Sequence, residues 1–268
     1  DRAYVDIFFQ LGKKYYIDSV LVSTGGPGKD DVSDEMLKDL TGIKQGDIFD
    51  INKITQAQVR LYRTGLFSYV RIYPGMEGIR ESSVPVRVDG NISMMNDLNP
   101  ELIMNNIQNA FNFGVGLEYN RKNFFGGARR FTSRAQINYQ DLFSLNIPRL
   151  FSLISLSDTI TTGAAEFRAR VEQPYFLGQP IFASLELSSL IQKIRFLQGL
   201  TYKGKINFEF ELPKYTFFNS MNIFYALEYN KLTLISENLG NPSSDLMSAG
   251  FGGQLISSHV DDFIFPTE

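Results

Sequence analysis

The 268-residue chain has no cysteine, no tryptophan and a single histidine, His259. Without cysteine there can be no disulfide and no thiolate metal site. His259 stands beside Asp261 and Asp262, but one imidazole and two adjacent carboxylates lack the spacing and ligand variety of a metal motif. It reads as a polar turn residue, and the chain as a non-enzyme without a cofactor. No stretch approaches the ~18 consecutive apolar residues of a transmembrane helix. A net charge of -3 with no basic block gives no reason to expect nucleic acid. The one glycine-rich stretch followed by arginines, GGARR from Gly126 to Arg130, lacks the GxxxxGK[ST] spacing of a phosphate loop and reads as a hairpin turn. The chain opens on DRAYVDIFF rather than a signal peptide, so an exported protein would be present here in mature or trimmed form.

What the chain does have is glycine and aromatic rings: 22 Gly, 23 Phe and 13 Tyr. That balance suits many strands separated by tight turns. The rings could also fill the interfacial positions that tryptophan often takes in membrane barrels.

The first third reads as a compact mixed unit. Tyr15 to Val22 has strand character, and Val5 to Phe9 is a candidate earlier strand. Gly25 to Gly28 (GGPG) forces a loop, after which Ser33 can cap a helix with Asp34 and Glu35 in its first turn. Met36, Leu37 and Leu40 would point inward, and Gly42 would stop the helix. A second helix should start after Asp50, with Ile51, Ile54, Leu61 and Tyr62 on one broad face and Gly65 as its stop. Phe67 to Tyr73 and Val84 to Val88 then read as strands. Two amphipathic helices can cover one face of so small a sheet. Each of these residues has a structural role as its plain reading; the functional feature would be an open sheet edge able to accept an extended peptide by β-augmentation.

Near residue 110 the period changes to two. In Phe111 to Tyr119 the odd positions are Phe, Phe, Val, Leu and Tyr, against Asn, Gly, Gly and Glu. Phe131 to Gln140 repeats the pattern, as do Ala165 to Glu172, Tyr202 to Leu212 and Met221 to Tyr229, with Phe224 an exception on the polar side. Ile181 to Leu190 and Ala249 to Ser257 are weaker candidates, making about seven strands, most of them long enough to cross a bilayer when tilted. Pro174 and Pro180 bracket a turn, and Pro213 ends a strand. The charged parity, with Glu166, Arg168, Lys203 and Glu209, faces either bulk water or a wet lumen; periodicity alone assigns no ion pair. Phe124, Phe125, Tyr175, Phe176, Phe217 and Phe218 fall near turns, as interfacial anchors or as loop packing. A sheet cannot leave an unpaired edge in hydrocarbon, so seven strands imply a missed strand or a longer barrel.

The segment GIKQGDIFDINKITQAQVRLYRTGLFSYVRIYP resembles the polypeptide-transport-associated (POTRA) repeat of the BamA and TamA superfamily of outer-membrane assembly factors. The match rests on Gly46, Asp47, Phe49, Arg60, Leu61, Tyr62, Thr64, Gly65, Leu66 and Phe67. GVGLEYNRKNFFGGARR resembles that superfamily's first barrel hairpin, and QPYFLGQPIF and DDFIFPTE its turn-flanking segments. The resemblance implies an α+β periplasmic POTRA domain followed by an antiparallel transmembrane β-barrel, of which this chain holds part of sixteen strands. It divides the chain into 1–14 (the end of a preceding repeat, or a linker), 15–90 (POTRA), 91–110 (linker) and 111–268 (partial barrel). The inward-folded Val-Arg-Gly-Phe loop of the family is not in this sequence.

By that resemblance the function is assembly and insertion of β-barrel proteins into the bacterial outer membrane. Its partners are unfolded outer-membrane or secreted clients, outer-membrane lipid, and accessory lipoproteins or assembly-complex subunits. Residues 66–73 or 84–88 would offer the client-binding edge. Phe111, Phe113, Gly114, Val115, Gly116, Leu117 and Tyr119 would form the first strand of a weakly paired barrel seam, with the two glycines loosening it. The alternatives are a TamA-like specialised assembly or secretion translocator and, from another class, a passive porin or nutrient transporter.

Overall fold

The computed structural model describes residues 12–75, 82–107, 110–140, 162–194, 196–212, 216–235 and 240–257. The expected strand at Val5 to Phe9, His259 and the segment DDFIFPTE lie outside the described residues. The chain divides near Ser93 into two compact units.

The first unit runs β1 (Tyr16–Gly25), a short 3-10 turn, α1 (Asp34–Thr41), α2 (Ile51–Arg63), β2 (Phe67–Pro74) and β3 (Ser83–Ile92). Ser33 caps α1 as expected, its hydroxyl accepting the Met36 N–H at 3.2 Å. Gly42 ends the helix in the left-handed conformation at φ 65°. The Arg60 guanidinium donates to the Thr41 carbonyl at 3.3 Å, so a cation from α2 satisfies the C-terminal end of α1. In α2 the buried stripe is Ile54, Ala57 and Leu61. Ile51, expected on that stripe, is 61% exposed, because the helix meets its neighbours only from Ile54 onward. Leu37, Leu40, Ile54 and Leu61 form the core with Val70, Ile72, Val84, Val86 and Val88.

The three strands lie in the order β1-β3-β2, β1 parallel and β2 antiparallel to the central β3. Residues 84–88, expected as an edge, are therefore in the middle of the sheet. A strand that returns between its two predecessors is set by topology, which the periodicity of a single segment does not carry.

The second unit is an eight-stranded antiparallel meander: β4 (Asn96–Ile107), β5 (Ala110–Arg121), β6 (Arg130–Gln140), β7 (Gly163–Gln173), β8 (Ile181–Ile194), β9 (Leu197–Glu211), β10 (Ser220–Leu234) and β11 (Ser243–Ile256). Each strand pairs with its sequence neighbours, and β4 and β11 are the two edges. Seven strands follow residue 110, as the alternation indicates. The eighth, Asn96–Ile107, falls within 91–110, where a linker was expected. Leu98, Leu102 and Met104 alternate there with Asp97, Asn99 and Glu101, but Pro100 and the surrounding asparagines hide the pattern. Proline is tolerated in such a strand because β4 is an edge. No helix among the described residues is long and apolar enough to cross a membrane.

Candidate functional site

No group of three or more His, Asp or Glu among the described residues could hold a metal ion. The features that can act on another molecule are sheet faces and sheet edges.

In the eight-stranded sheet, register carries the apolar parity unbroken from strand to strand. Leu102 faces Val115, Val115 faces Ile137, and Ile137 faces Ala165. Further along, Leu185 faces Ile206, Ile206 faces Tyr225, and Tyr225 faces Phe251. Val115, Leu117, Ile137, Phe167, Leu187, Tyr202, Ile206, Tyr225 and Phe251 are all exposed. An apolar surface spread over eight strands far exceeds what a monomer leaves in water. Between Phe167, Leu187, Tyr202, Leu227 and Met247 it dips over Gly204, and Tyr202 stacks on Tyr229 with ring centroids 6.4 Å apart.

The opposite face is polar and internally paired. Glu101 meets Arg134 at 2.6 Å, Glu166 meets Arg168 at 2.8 Å, Glu172 is bound by Arg130 and Arg170, and Glu228 meets Lys203 at 3.3 Å. Lys203 thus pairs across strands with Glu228. Phe224, the apolar exception, lies over Gly252 with the Lys205 ammonium 4.6 Å from its ring centroid. A glycine covered by a neighbouring strand's ring is the arrangement that offsets the missing side chain.

The segment 111–119, expected as the first seam strand, lies within β5, paired to β4 on one side and β6 on the other. The edge is β4. Gly114 and Gly116 have a reason in this structure other than looseness. Arg134 of β6 reaches across β5 to Glu101 of β4, and a Cβ on Gly116 would sit 3.0 Å from the Glu101 carboxylate. A Cβ on Gly114 would come within 1.9 Å of the Asn138 side-chain oxygen. Both glycines let side chains of the neighbouring strands lie across β5. The Gly116 crossing ties the edge strand to the third strand of the sheet. Sequence reasoning missed Glu101 and Arg134 because their link spans three strands whose register no local pattern discloses.

The motif residues of the first unit are brought together as scaffold. Gly46, at φ 88°, donates its N–H to the Ile17 carbonyl at 2.8 Å, and the Asp47 carbonyl accepts the Ile17 N–H at 2.8 Å. The Phe49 N–H donates to the Tyr15 carbonyl at 2.9 Å. This stretch therefore lines the start of β1's outer edge. Leu61, Leu66 and Phe67 are buried, and the Phe67 ring lies against Gly90. Gly65 follows α2 in the left-handed conformation at φ 68°, as a helix stop requires.

Tyr62 does more. Its hydroxyl accepts the Val70 N–H at 3.4 Å, while the Gln58 side-chain oxygen accepts the Ile72 N–H at 3.1 Å. These are two amides of β2, the strand expected to receive clients, and side chains of α2 occupy both. Covering an edge with a helix is one of the ways proteins prevent unwanted strand pairing. The edge left without such cover is β1 beyond Ile17, which pairs only with β3 among the described strands.

On the sheet face away from the buried valines, Tyr73 donates its hydroxyl to the Asp89 carboxylate. That hydrogen bond holds the Tyr73 phenol above its usual pKa.

A helix-covered three-stranded module leading into an open, up-and-down sheet with one apolar and one charged face defines a class of architecture: a repeat followed by a barrel segment. Residues 15–92 match the family model of POTRA, the surface antigen variable number repeat. Among solved structures, BamA from Haemophilus ducreyi lacking POTRA domains 1-3 matches at a TM-score of 0.53 and 14% identity, over 96% of this chain and 46% of that one. CdiB from Acinetobacter baumannii matches at a TM-score of 0.55 and 11% identity, over 91% of this chain and 44% of that one. The chain thus spans less than half the length of either structure. No curated protein sequence matches it. What it shares with BamA and CdiB is the fold: an α+β POTRA region followed by a large antiparallel sheet that corresponds to a partial, unclosed barrel.

Proposed function

We propose that this protein assembles and inserts β-barrel proteins into the bacterial outer membrane without enzymatic chemistry, its POTRA unit in the periplasm and its large sheet in the bilayer. The observation that carries this reading is the exposed apolar face of eight adjoining strands directly after a POTRA repeat. Strands of 11 to 15 residues reach or exceed the roughly 9–11 that a tilted strand needs to cross a bilayer. A passive pore would account for the two faces but gives no reason for the repeat.

In this reading the client is an extended, unfolded outer-membrane polypeptide, and backbone pairing is what holds it. The POTRA contribution is the uncovered part of β1, since Tyr62 and Gln58 already occupy amides of β2. In the large sheet, the strand that opens is β4, and the Glu101–Arg134 bridge over Gly116 resists that opening. The driving free energy is the burial of the client's apolar face together with the pairing of its backbone groups. Outer-membrane lipid and accessory lipoproteins of an assembly complex are the further partners of this scheme.

The test is depletion of the native protein followed by quantitative proteomics of the outer membrane. Broad loss of barrel proteins ahead of general envelope failure is the expected result. Loss of a small client set would narrow the role to specialised assembly or secretion. Altered solute uptake with the barrel proteome intact would replace the reading with a pore.

A further inference from the structure

The two edges of the large sheet offer different backbone to a neighbour. The Met95 carbonyl accepts the Lys122 N–H at 2.8 Å, in the same register as the β4–β5 pairs. Backbone groups alternate sides along an antiparallel strand. The odd-numbered residues of β4 therefore point theirs at β5, and the even-numbered ones point theirs outward. That outward row is Asn96, Leu98, Pro100, Leu102, Met104 and Asn106. Pro100 has a carbonyl but no N–H, and its ring stands where the N–H would be. On β11 the Leu234 N–H donates to the Pro242 carbonyl at 2.9 Å, in register with the β10–β11 pairs, so the odd-numbered residues face out. From Ser243 to Leu255 that row holds no proline, and every member keeps its donor. One edge is continuous; the other is interrupted mid-strand.

Pro100 also lies between two side-chain ties that hold β4 to its own sheet. Asp97 pairs with Lys122 at 3.1 Å, and Glu101 pairs with Arg134 of β6 at 2.6 Å. The strand is thus bound inward on both sides of the proline, while the proline withholds a donor from anything outside. Proline on an edge is one of the devices that limit pairing there. The side chains nevertheless suit a strand neighbour. Leu98, Leu102 and Met104 are exposed on the apolar face, and Asn99 and Glu101 alternate with them on the polar one. A strand that continues this sheet must carry the same alternation, which is that of an outer-membrane barrel strand.

We infer that Pro100 limits the ladder a client strand can form on β4: the client pairs along Leu102 to Asn106 and stays unpaired beside Asn96 and Leu98. The inference rests on the reading that β4 receives clients in the bilayer. A guest in continuous register would set one of its carbonyls against the ring of Pro100, and hydrocarbon holds no water to satisfy it. A ladder that stops short of the proline avoids that cost. Pro100 thereby caps how tightly the edge holds a client and leaves the guest's far end free to separate first. The uninterrupted β11 edge has no such limit.

The chain has no cysteine, so thiol crosslinking has no background. Leu98→Cys, Leu102→Cys and Met104→Cys would be introduced singly into the full-length protein in phosphatidylcholine vesicles. The probe is an unfolded outer-membrane barrel protein with one cysteine scanned along its strands, joined by a short thiol crosslinker. The expected result is that positions 102 and 104 crosslink to the client in one register, while position 98 gives no crosslink in that register. Pro100→Ala and Pro100→Val each restore the N–H and differ in side-chain bulk. Both should extend the register to position 98 and lengthen client dwell on β4 roughly two- to tenfold, the equivalent of one net hydrogen bond. In-register crosslinks at 98 in the native chain, or variants that leave the pattern at 98 unchanged, would overturn the inference. Accelerated client insertion with no crosslink to β4 would also overturn it and leave the assembly role standing. If the protein neither speeds insertion nor crosslinks at any β4 position, the inference and the proposed function fall together.

Discussion

The two sheets of this protein use the same alternation to opposite ends. In the three-stranded sheet, Val84, Val86 and Val88 turn toward α1 and α2 and are buried; in the eight-stranded sheet, Val115, Leu117 and Ile137 lie on a face that the described residues leave exposed. Their edges differ as well. The β2 edge is held by side chains of a helix, whereas the β4 edge is tied through a charged bridge over a glycine. The same period of two can therefore build a core or an uncovered apolar face. The deciding factor is whether the chain supplies helices to cover the apolar side.

Core substitution in the first unit should have the largest effect. Leu61→Ala removes a fully buried side chain and is expected to cost about 2–5 kcal/mol, read as faster amide exchange throughout residues 15–92 of the intact protein. Leu187→Arg tests the other face. If that face meets lipid, the substitution destabilises the sheet in vesicles by about 2–4 kcal/mol in a urea titration; an unchanged midpoint would mean it faces water.

The edges come next. Gln58→Leu with Tyr62→Phe removes the acceptors of the Ile72 and Val70 amides, and each net hydrogen bond is worth about 0.5–1.5 kcal/mol. Those two amides should exchange faster while β3 amides do not. If the guard is what keeps β2 from pairing, the variant should also crosslink clients at β2 that the native protein does not. Glu101→Gln weakens a partly exposed ion pair, so about 0.2–1 kcal/mol is expected, visible as faster exchange in β4 than in β8.

The smallest effect concerns Tyr73. Because its folded pKa is raised, the Asp89 contact contributes stability that is complete below the usual tyrosine pKa and is lost as pH rises through the folded value. Asp89→Asn should let Tyr73 ionise at lower pH, seen as phenolate absorbance appearing earlier in an alkaline titration.

Most of the fold was legible from residue order. Ser33, Gly42, Ile54 and Leu61 mark the helices by caps and spacing, and the runs from Phe111, Phe131 and Met221 mark strands by parity. β4 was not legible, because an edge strand tolerates the proline and asparagines that erase the pattern. The site was less legible than the fold. Which strand is central depends on β3 returning between β1 and β2, and the meaning of Gly116 depends on Glu101 and Arg134, one strand away on either side. The guard on β2 needs a helix and a strand docked in one register, a three-dimensional coincidence that no local pattern encodes.

That guard has an evolutionary consequence. The closure of β2 resides in two half-buried side chains of α2, while the stripe that builds the module is Ile54, Ala57 and Leu61. Guarding the β2 edge and building the module therefore rest on different positions of one helix. Under the proposed function, point substitution at 58 and 62 would change which border accepts a client, with the interior left untouched.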